Sequence, residues 1–185
     1  MHANAKLLSM VKHVPVIPVL TVDGPQSAVP LARALVAGGL NVLEVTLRTD
    51  GALHAIEAMA KAIPDAIIGA GKVLTPSQID DSLSAGAKFL VSPGATLKLA
   101  EAAIDRHAPL LPGVATASEA MALAEQGYHL LKFFPAEAAG GVSYLKSLAA
   151  PLPHRCAKSK ILSRTSQCDL CWWIMGNAAR GHQSG

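Results

Sequence analysis

Two sequence patterns alternate along this chain, and the alternation restricts its fold more than any other feature. Apolar, β-branched runs such as Val14-Pro15-Val16-Ile17-Pro18-Val19-Leu20 and Asn41-Val42-Leu43-Glu44-Val45-Thr46-Leu47 read as buried strands. Each is followed by an Ala- and Leu-rich stretch of helical character. The first runs from Pro25 to Val36 and is stopped by Gly38-Gly39. The second, Gly51 to Ile63, ends before Pro64. Ala66-Ile67-Ile68-Gly69-Ala70 is the third strand, and a helix from Pro76 to Ser84 follows, with Thr75 as its N-cap. Lys88 to Ser92 and a helix from Thr96 to Arg106 form the fourth unit. Pro109-Leu110-Leu111-Pro112 and a helix from Ser118 to Gln126 form the fifth. Leu130-Leu131-Lys132-Phe133-Phe134-Pro135 and a helix from Val142 to Leu148 form the sixth. A short amphipathic helix, Ala3 to His13, precedes them all.

Strands separated by helices must run parallel, because a parallel pair needs a long crossover. Near-continuous apolar strands require cover on both faces. A doubly wound open sheet and a (β/α)8 barrel both satisfy this. No G-x-G-x-x-G follows the first strand, which counts against a dinucleotide-binding sheet. Polar residues gather at strand ends instead: Glu44, Thr46, Arg48, Lys72, Ser92, Lys132 and Glu137. That is where a barrel keeps its catalytic groups. A barrel requires eight units, and six are legible.

Composition narrows the function. The chain is 51% hydrophobic and 16% charged, so its 185 residues can bury a large core as one domain. Net charge is only +3, without a basic stripe or known motif, which argues against nucleic-acid binding. No apolar run reaches the length of a membrane span, and no signal peptide is evident, so a cytoplasmic location is expected. Cys168 and Cys171 form a lone C-x-x-C without partners at zinc-ligand spacing, so no metal site is expected.

Lys132 carries the strongest chemical signal. An ammonium in an apolar strand must be desolvated, and burial disfavours its charged form. A neutral amine is a nucleophile that forms a Schiff base with a carbonyl substrate. The alternative is a strand-end Lys that extends its head to water. Glu44 lies in another apolar strand, where burial would raise its pKa and suit it to acid/base work. Arg48 follows at the same strand end, and its guanidinium suits a carboxylate. A purely structural Glu44–Arg48 pair is the alternative there. Ser92 and Thr46 read as strand-end hydrogen-bonders.

Four stretches combine: Glu44-Val45-Thr46-Leu47-Arg48-Thr49, Gly69-Ala70-Gly71-Lys72-Val73-Leu74, Ser92-Pro93-Gly94 and Lys132-Phe133-Phe134-Pro135-Ala136-Glu137. In this order and separation they resemble the 2-keto-3-deoxy-6-phosphogluconate aldolases, many of which also act as 4-hydroxy-2-oxoglutarate aldolases. The resemblance runs in register from about Val14 to Ala149. It implies a (β/α)8 TIM barrel and a trimeric Schiff-base lyase without metal or other cofactor. Its substrate would be a small 2-oxo acid of the Entner–Doudoroff pathway, cleaved to pyruvate and glyceraldehyde 3-phosphate. Cleavage of 4-hydroxy-2-oxoglutarate to pyruvate and glyoxylate is implied as well. By matching motif, Lys132 is the Schiff-base lysine and Glu44 the acid/base acting through a water. Arg48 binds the substrate carboxylate, Pro93 lines the pocket, and Phe134 packs near the imine. Lys72 stands where the family has Thr against that carboxylate. A Lys there remains able to contact a carboxylate, but it adds a second cation near Lys132.

The chain departs from the family after about residue 150. The Pro-Thr-Gly-Gly and Gly-Gly-Ser-Trp motifs of the family's phosphate site are missing. From Pro151 the alternation stops, and all three Cys and both Trp are found there. Back-translation of Cys171-Trp172-Trp173-Ile174-Met175-Gly176, read one base later, yields Gly-Gly-x-Trp, where x can be Ser. Gln167 to Leu170 likewise yields Asn-Val-Thr-Cys. Residues 1–150 are therefore expected to supply barrel units one to six, and 151–185 an irregular, out-of-frame tail with strands seven and eight missing or corrupted. Two other functions compete with an aldolase: a non-catalytic barrel remnant without a phosphate site, and a sister phosphate-binding barrel enzyme. The second lacks a reason to pair Glu44-x-x-x-Arg48 with Lys132-Phe133-Phe134-Pro135.

Overall fold

A computed structural model describes residues 3–11, 14, 16–151, 155–156 and 172–175. After helix α1 (Ala5–Val11), strands and helices alternate: β1 (Val19–Leu20), α2 (Pro25–Ala37), β2 (Val42–Thr46), α3 (Ala52–Ala62), β3 (Ile67–Gly71), α4 (Pro76–Ser84), β4 (Phe89–Val91) and α5 (Leu97–Asp105). Then come β5 (Leu110–Leu111), β6 (Gly113–Val114), α6 (Ala117–Glu125), β7 (Leu130–Phe133), α7 (Gly141–Ala149), β8 (Arg155–Cys156) and β9 (Trp172–Met175). β1 to β5 pair in parallel in chain order, and β6 pairs in parallel with β7.

The helix ends follow their sequence signals. Thr75, Thr96 and Thr116 each cap a helix by accepting from the backbone N–H three residues on. Helix bounds differ from the sequence reading by a residue or two. The strands differ more. The first was expected over Val14–Leu20, yet among the described residues of that run only Val19–Leu20 is strand; Pro18, just before it, has no N–H to give to a ladder. Its carbonyl still accepts from Glu44 N at 2.9 Å. The expected fifth strand, Pro109–Pro112, is seen as Leu110–Leu111, and Pro112 separates it from a further strand, β6, that was not expected, so the sixth sequence unit is β7. The Pro112 carbonyl accepts from Lys132 N at 2.9 Å. Lys12 and His13 of the expected first helix lie outside the described residues, as do Cys168 and Cys171 of the C-x-x-C.

Side-chain alternation sorts the strand residues into two cores. Leu43, Val45, Ile68, Ala70, Leu90, Leu110, Leu131 and Phe133 pack outward against the helices. Val42, Phe89, Val91, Leu111 and Leu130 form a second cluster with Leu7 of α1. These inner residues come from β2, β4, β5 and β7, so the sheet is curled around them and α1 closes one end. Backbone and side-chain bonds anchor α1: Ala3 N donates to Gly127 O at 2.9 Å, and Asn4 Nδ2 donates to Leu130 O at 2.7 Å.

The tail corrects one expectation. Residues after Pro151 were expected to be irregular, but Trp172–Met175 forms a strand antiparallel to β7, with Arg155–Cys156 antiparallel to it. The physical reason is the free edge of β7, whose unpaired N–H and C=O groups accept any β-prone segment. Trp-Trp-Ile-Met is such a segment.

Candidate active site

Alternation fixes what faces the interior one step above the inner cluster. Val42 points in, so Glu44 does; Leu130 points in, so Lys132 does; Ile67 packs with the same cluster, so Gly69 and Gly71 face inward as well. Glu44 is 4% exposed and Lys132 6%. They come from β2 and β7, which are far apart in chain order and meet only because the sheet is curled.

Burial pushes the Glu44 carboxyl above its ordinary value, and the nearby positive charge of Lys132 partly opposes that rise. The ion pairs among the described residues, Lys61–Glu57 and Arg106–Asp80, do not include these two. The carboxyl therefore senses the amine without being bound to it. Such a pair is open to a substrate atom or a water between them. The Lys132 Nζ lies 5.0 Å from the centre of the Phe134 ring, so that ring forms one wall beside the amine. On the outer side of β7, Phe133 stacks on Tyr144 of α7 with centroids 5.8 Å apart, which locks the strand's rotation.

The strand ends around this pair are tied down. Thr46 Oγ1 donates to Leu20 O at 3.0 Å and lies 2.9 Å from Thr21 Oγ1. Thr49 Oγ1 donates to Val22 O at 2.6 Å. These bonds hold the end of β2 to the end of β1, and so fix the stretch that carries Glu44 and Arg48. Thr46 is thus a strand-end hydrogen-bonder, as read from the sequence. Ser92 is fully buried, and its hydroxyl has no hydrogen-bond partner among the described residues.

Arg48, Lys72 and Pro93 follow β2, β3 and β4 and lie at the same end of the sheet as Phe134 after β7. Pro93 and Phe134 are half-buried, whereas Arg48 and Lys72 are exposed. Among the described residues neither cation has a side-chain hydrogen bond or ion pair. The structure thus brings Lys132, Glu44 and Phe134 together and leaves Arg48 and Lys72 at the rim. No group of three or more His, Cys, Asp or Glu among the described residues is placed to hold a metal. Among the described residues no helix is long and apolar enough to cross a membrane.

Gly71 was missed as a site residue. A methyl built on it would overlap the Glu44 carboxyl. The signal was present in the sequence as two glycines, Gly69 and Gly71, in a strand that otherwise favours bulk.

The family model for KDPG and KHG aldolases matches residues 7–155. This chain belongs to that aldolase family. The KHG/KDPG aldolase of Escherichia coli K12 is 53% identical over 137 residues, which cover 74% of this chain and 64% of the relative. The chain thus spans less than two thirds of that relative's length. The crystal structure of the 2-keto-3-deoxy-6-phosphogluconate aldolase of Zymomonas mobilis ZM4 with 3-phosphoglycerate superposes with a TM-score of 0.76 at 48% identity, covering 80% of this chain and 70% of that one. The KDPG aldolase of Legionella pneumophila, holding pyruvate as a covalent carbinolamine intermediate, superposes with a TM-score of 0.74 at 48% identity, covering 80% and 72%. The fold is accordingly the α/β barrel of the class I aldolases, built in this chain from six parallel strand–helix units.

Proposed function

We propose that this chain is a Schiff-base aldolase that cleaves 2-keto-3-deoxy-6-phosphogluconate to pyruvate and glyceraldehyde 3-phosphate, with 4-hydroxy-2-oxoglutarate as a second substrate. One observation carries the reading: a buried amine and a buried carboxyl of raised pKa face one another across the interior without an ion pair. The pyruvate carbinolamine of the Legionella relative supports the same chemistry.

The steps follow from the residues. Lys132 Nζ adds to the C2 carbonyl, and loss of water leaves an iminium. Glu44, through a water, takes the proton of the C4 hydroxyl as the C3–C4 bond breaks. That electron pair enters the C2–C3 bond and neutralises the iminium nitrogen, giving an enamine and free aldehyde. Glu44 returns a proton to C3, and hydrolysis frees pyruvate and Lys132. A raised pKa suits a group that must both accept and donate near neutral pH. Arg48 and Lys72 at the rim are suited to the substrate carboxylate, Pro93 to the pocket wall and Phe134 to packing on the imine. A homotrimer is the proposed assembly.

The test is borohydride reduction in the presence of pyruvate, followed by peptide mapping. One covalent adduct on the peptide holding Lys132 is expected. An adduct on Lys72 would overturn the assignment, and no adduct would leave a non-catalytic barrel.

We also infer that the sequence beyond about residue 150 is an out-of-frame reading of the gene. Two observations support this. The family match ends at residue 155. The strand on β7 runs antiparallel, where a (β/α)8 barrel has a parallel one. Resequencing across codons 149–176 and the intact mass of the protein test it. The frame-restored chain is expected to be soluble and to turn over phosphorylated substrate, and the 185-residue chain to be poorly soluble with little or no activity on phosphorylated substrate. A 185-residue protein with full activity and a closed eight-stranded parallel barrel would overturn the inference.

A further inference from the structure

Gly69 and Gly71 stand two residues apart on β3 and face the same interior. A methyl on Gly69 would run into the Phe89 ring, 2.5 Å from its Cε1 and Cε2. A methyl on Gly71 would lie on the Glu44 Oε1, 2.6 Å from its Cδ and 2.7 Å from its Cγ. The backbone does not ask for glycine at position 71. It is regular strand, in register with Thr46 on one side and Val91 on the other, and it is not among the positive-φ glycines. Glycine weakens a strand interior, so its presence there needs another reason. The space it leaves is occupied by a carboxyl.

We propose that Gly71 is a positioning residue for the acid/base carboxyl: its missing side chain is the notch that holds Glu44 buried and aimed at the space beside Lys132. This rests on the role given to Glu44 above. With pyruvate bound as the iminium, Glu44 removes a C3 proton while the C–H electron pair forms the enamine. In D2O the carboxyl exchanges that proton for a deuteron and returns it to C3. This half-reaction needs neither aldehyde nor phosphate site, so it can be read in the soluble fraction of the 185-residue chain even where phosphorylated substrate is not turned over. A displacement of about 1 Å in such a group costs on the order of 10²-fold.

The experiment compares the parent with Gly71→Ala, Gly69→Ala, Glu44→Ala and the pair Glu44→Ala/Gly71→Ala. Deuterium exchange into pyruvate is followed by NMR across pH, trapping at Lys132 by mass spectrometry, and Tm by calorimetry. Gly71→Ala is expected to retain the trapped adduct and to exchange about 10²-fold more slowly. Its acid limb should move to lower pH, because a carboxyl pushed out of the notch regains water. Glu44→Asp placed on Gly71→Ala should recover at least part of the rate, since the shorter side chain clears the methyl. Gly69→Ala should lower Tm and leave the acid limb in place. The added methyl should lower Tm less in the Glu44→Ala background than in the parent. Parental exchange and an unmoved acid limb in Gly71→Ala would overturn the proposal. So would an equal loss of Tm on adding the methyl in both backgrounds. A parent without adduct or exchange would sink the aldolase reading, while the Tm comparison would still decide whether Gly71 houses Glu44.

Discussion

The two layers of the interior are built from the same strands and the same faces, yet they do opposite work. Val42, Phe89 and Leu130 form the lower layer with Leu7 against them. Two residues further along β2 and β7 come Glu44 and Lys132, with Gly71 of β3 against the Glu44 carboxyl. The lower layer is apolar, fully buried and closed by α1, and its worth is packing. The upper layer holds two ionisable groups taken out of water, which costs stability and provides chemistry. The layers are also coupled. The apolar floor is part of what desolvates Glu44 and raises its pKa. Even the glycines divide: Gly69 makes room for a ring and Gly71 for a carboxyl.

The sharpest way to break the comparison is Lys132→Met. The upper layer then loses its nucleophile but keeps its volume. Loss of the pyruvate adduct is expected to be complete, with Tm unchanged or raised because a buried amine has been replaced by an apolar chain. Chelation of the parent should leave the adduct yield unaltered, since the electron sink is organic. Residual adduct in Lys132→Met would move the nucleophile elsewhere.

Glu44→Gln comes next. Imine formation should persist while deuterium exchange falls by about 10²–10⁴-fold, the usual contribution of a positioned acid/base. The same variant reports on stability, with a definite sign. Burial raises the folded-state pKa of Glu44, so the folded protein holds its proton more tightly than the unfolded chain. That stabilisation is full below the ordinary carboxylate value and is lost as pH rises through the folded pKa. Glu44→Gln should therefore gain Tm over the parent at neutral pH, with the gain shrinking toward pH 4. A deficit at neutral pH that closes toward acid would mean that Lys132, not burial, dominates the carboxyl.

Phe89→Ala tests the lower layer. Its ring is fully buried against Gly69. Truncation should cost about 3–5 kcal/mol by urea titration. Exchange per folded molecule should stay within severalfold of the parent, with the acid limb of Glu44 moved to lower pH if water enters the cavity. An unchanged stability would show that the lower layer is not the packed core the structure describes.

How much of this was legible depends on the range of the interaction. The strand–helix alternation and the cap at Thr75 were readable because they are local: Thr75 precedes Pro76, and Glu44 and Lys132 stand out as charges in apolar runs, whereas the caps at Thr96 and Thr116 were not read. The splits at Pro18 and Pro112 were visible as prolines, but their consequence needed the neighbouring ladder. The two glycines of β3 marked a close approach, but what fills the notch at Gly71 was illegible, because it is a side chain reaching across from another strand. The pairing of Trp172–Met175 with β7 was illegible for a similar reason. It follows from an open edge rather than from any pattern of its own.

The smallest effect is expected outside both layers, at the start of α6. Thr116 and Glu119 form a capping box, in which Glu119 Oε2 accepts from Ala115 N at 2.8 Å and from Thr116 N at 2.9 Å. These bonds, that from Ala115 first, hold the Glu119 carboxyl below its ordinary value, the opposite direction to Glu44. Its stabilisation is present above the ordinary carboxylate value and is lost as pH falls through the depressed pKa. Thr116→Ala should cost about 1 kcal/mol. Glu119→Gln should cost less, because the side chain is exposed and screened, and its deficit should vanish in acid. The two carboxyl variants thus converge on the parent at low pH from opposite sides, Glu44→Gln from above and Glu119→Gln from below. Both should leave the Lys132 adduct intact, and only Glu44→Gln should slow exchange. If Glu119→Gln slowed exchange as well, α6 would be part of the site, and the division between packing and chemistry would not stop at the interior.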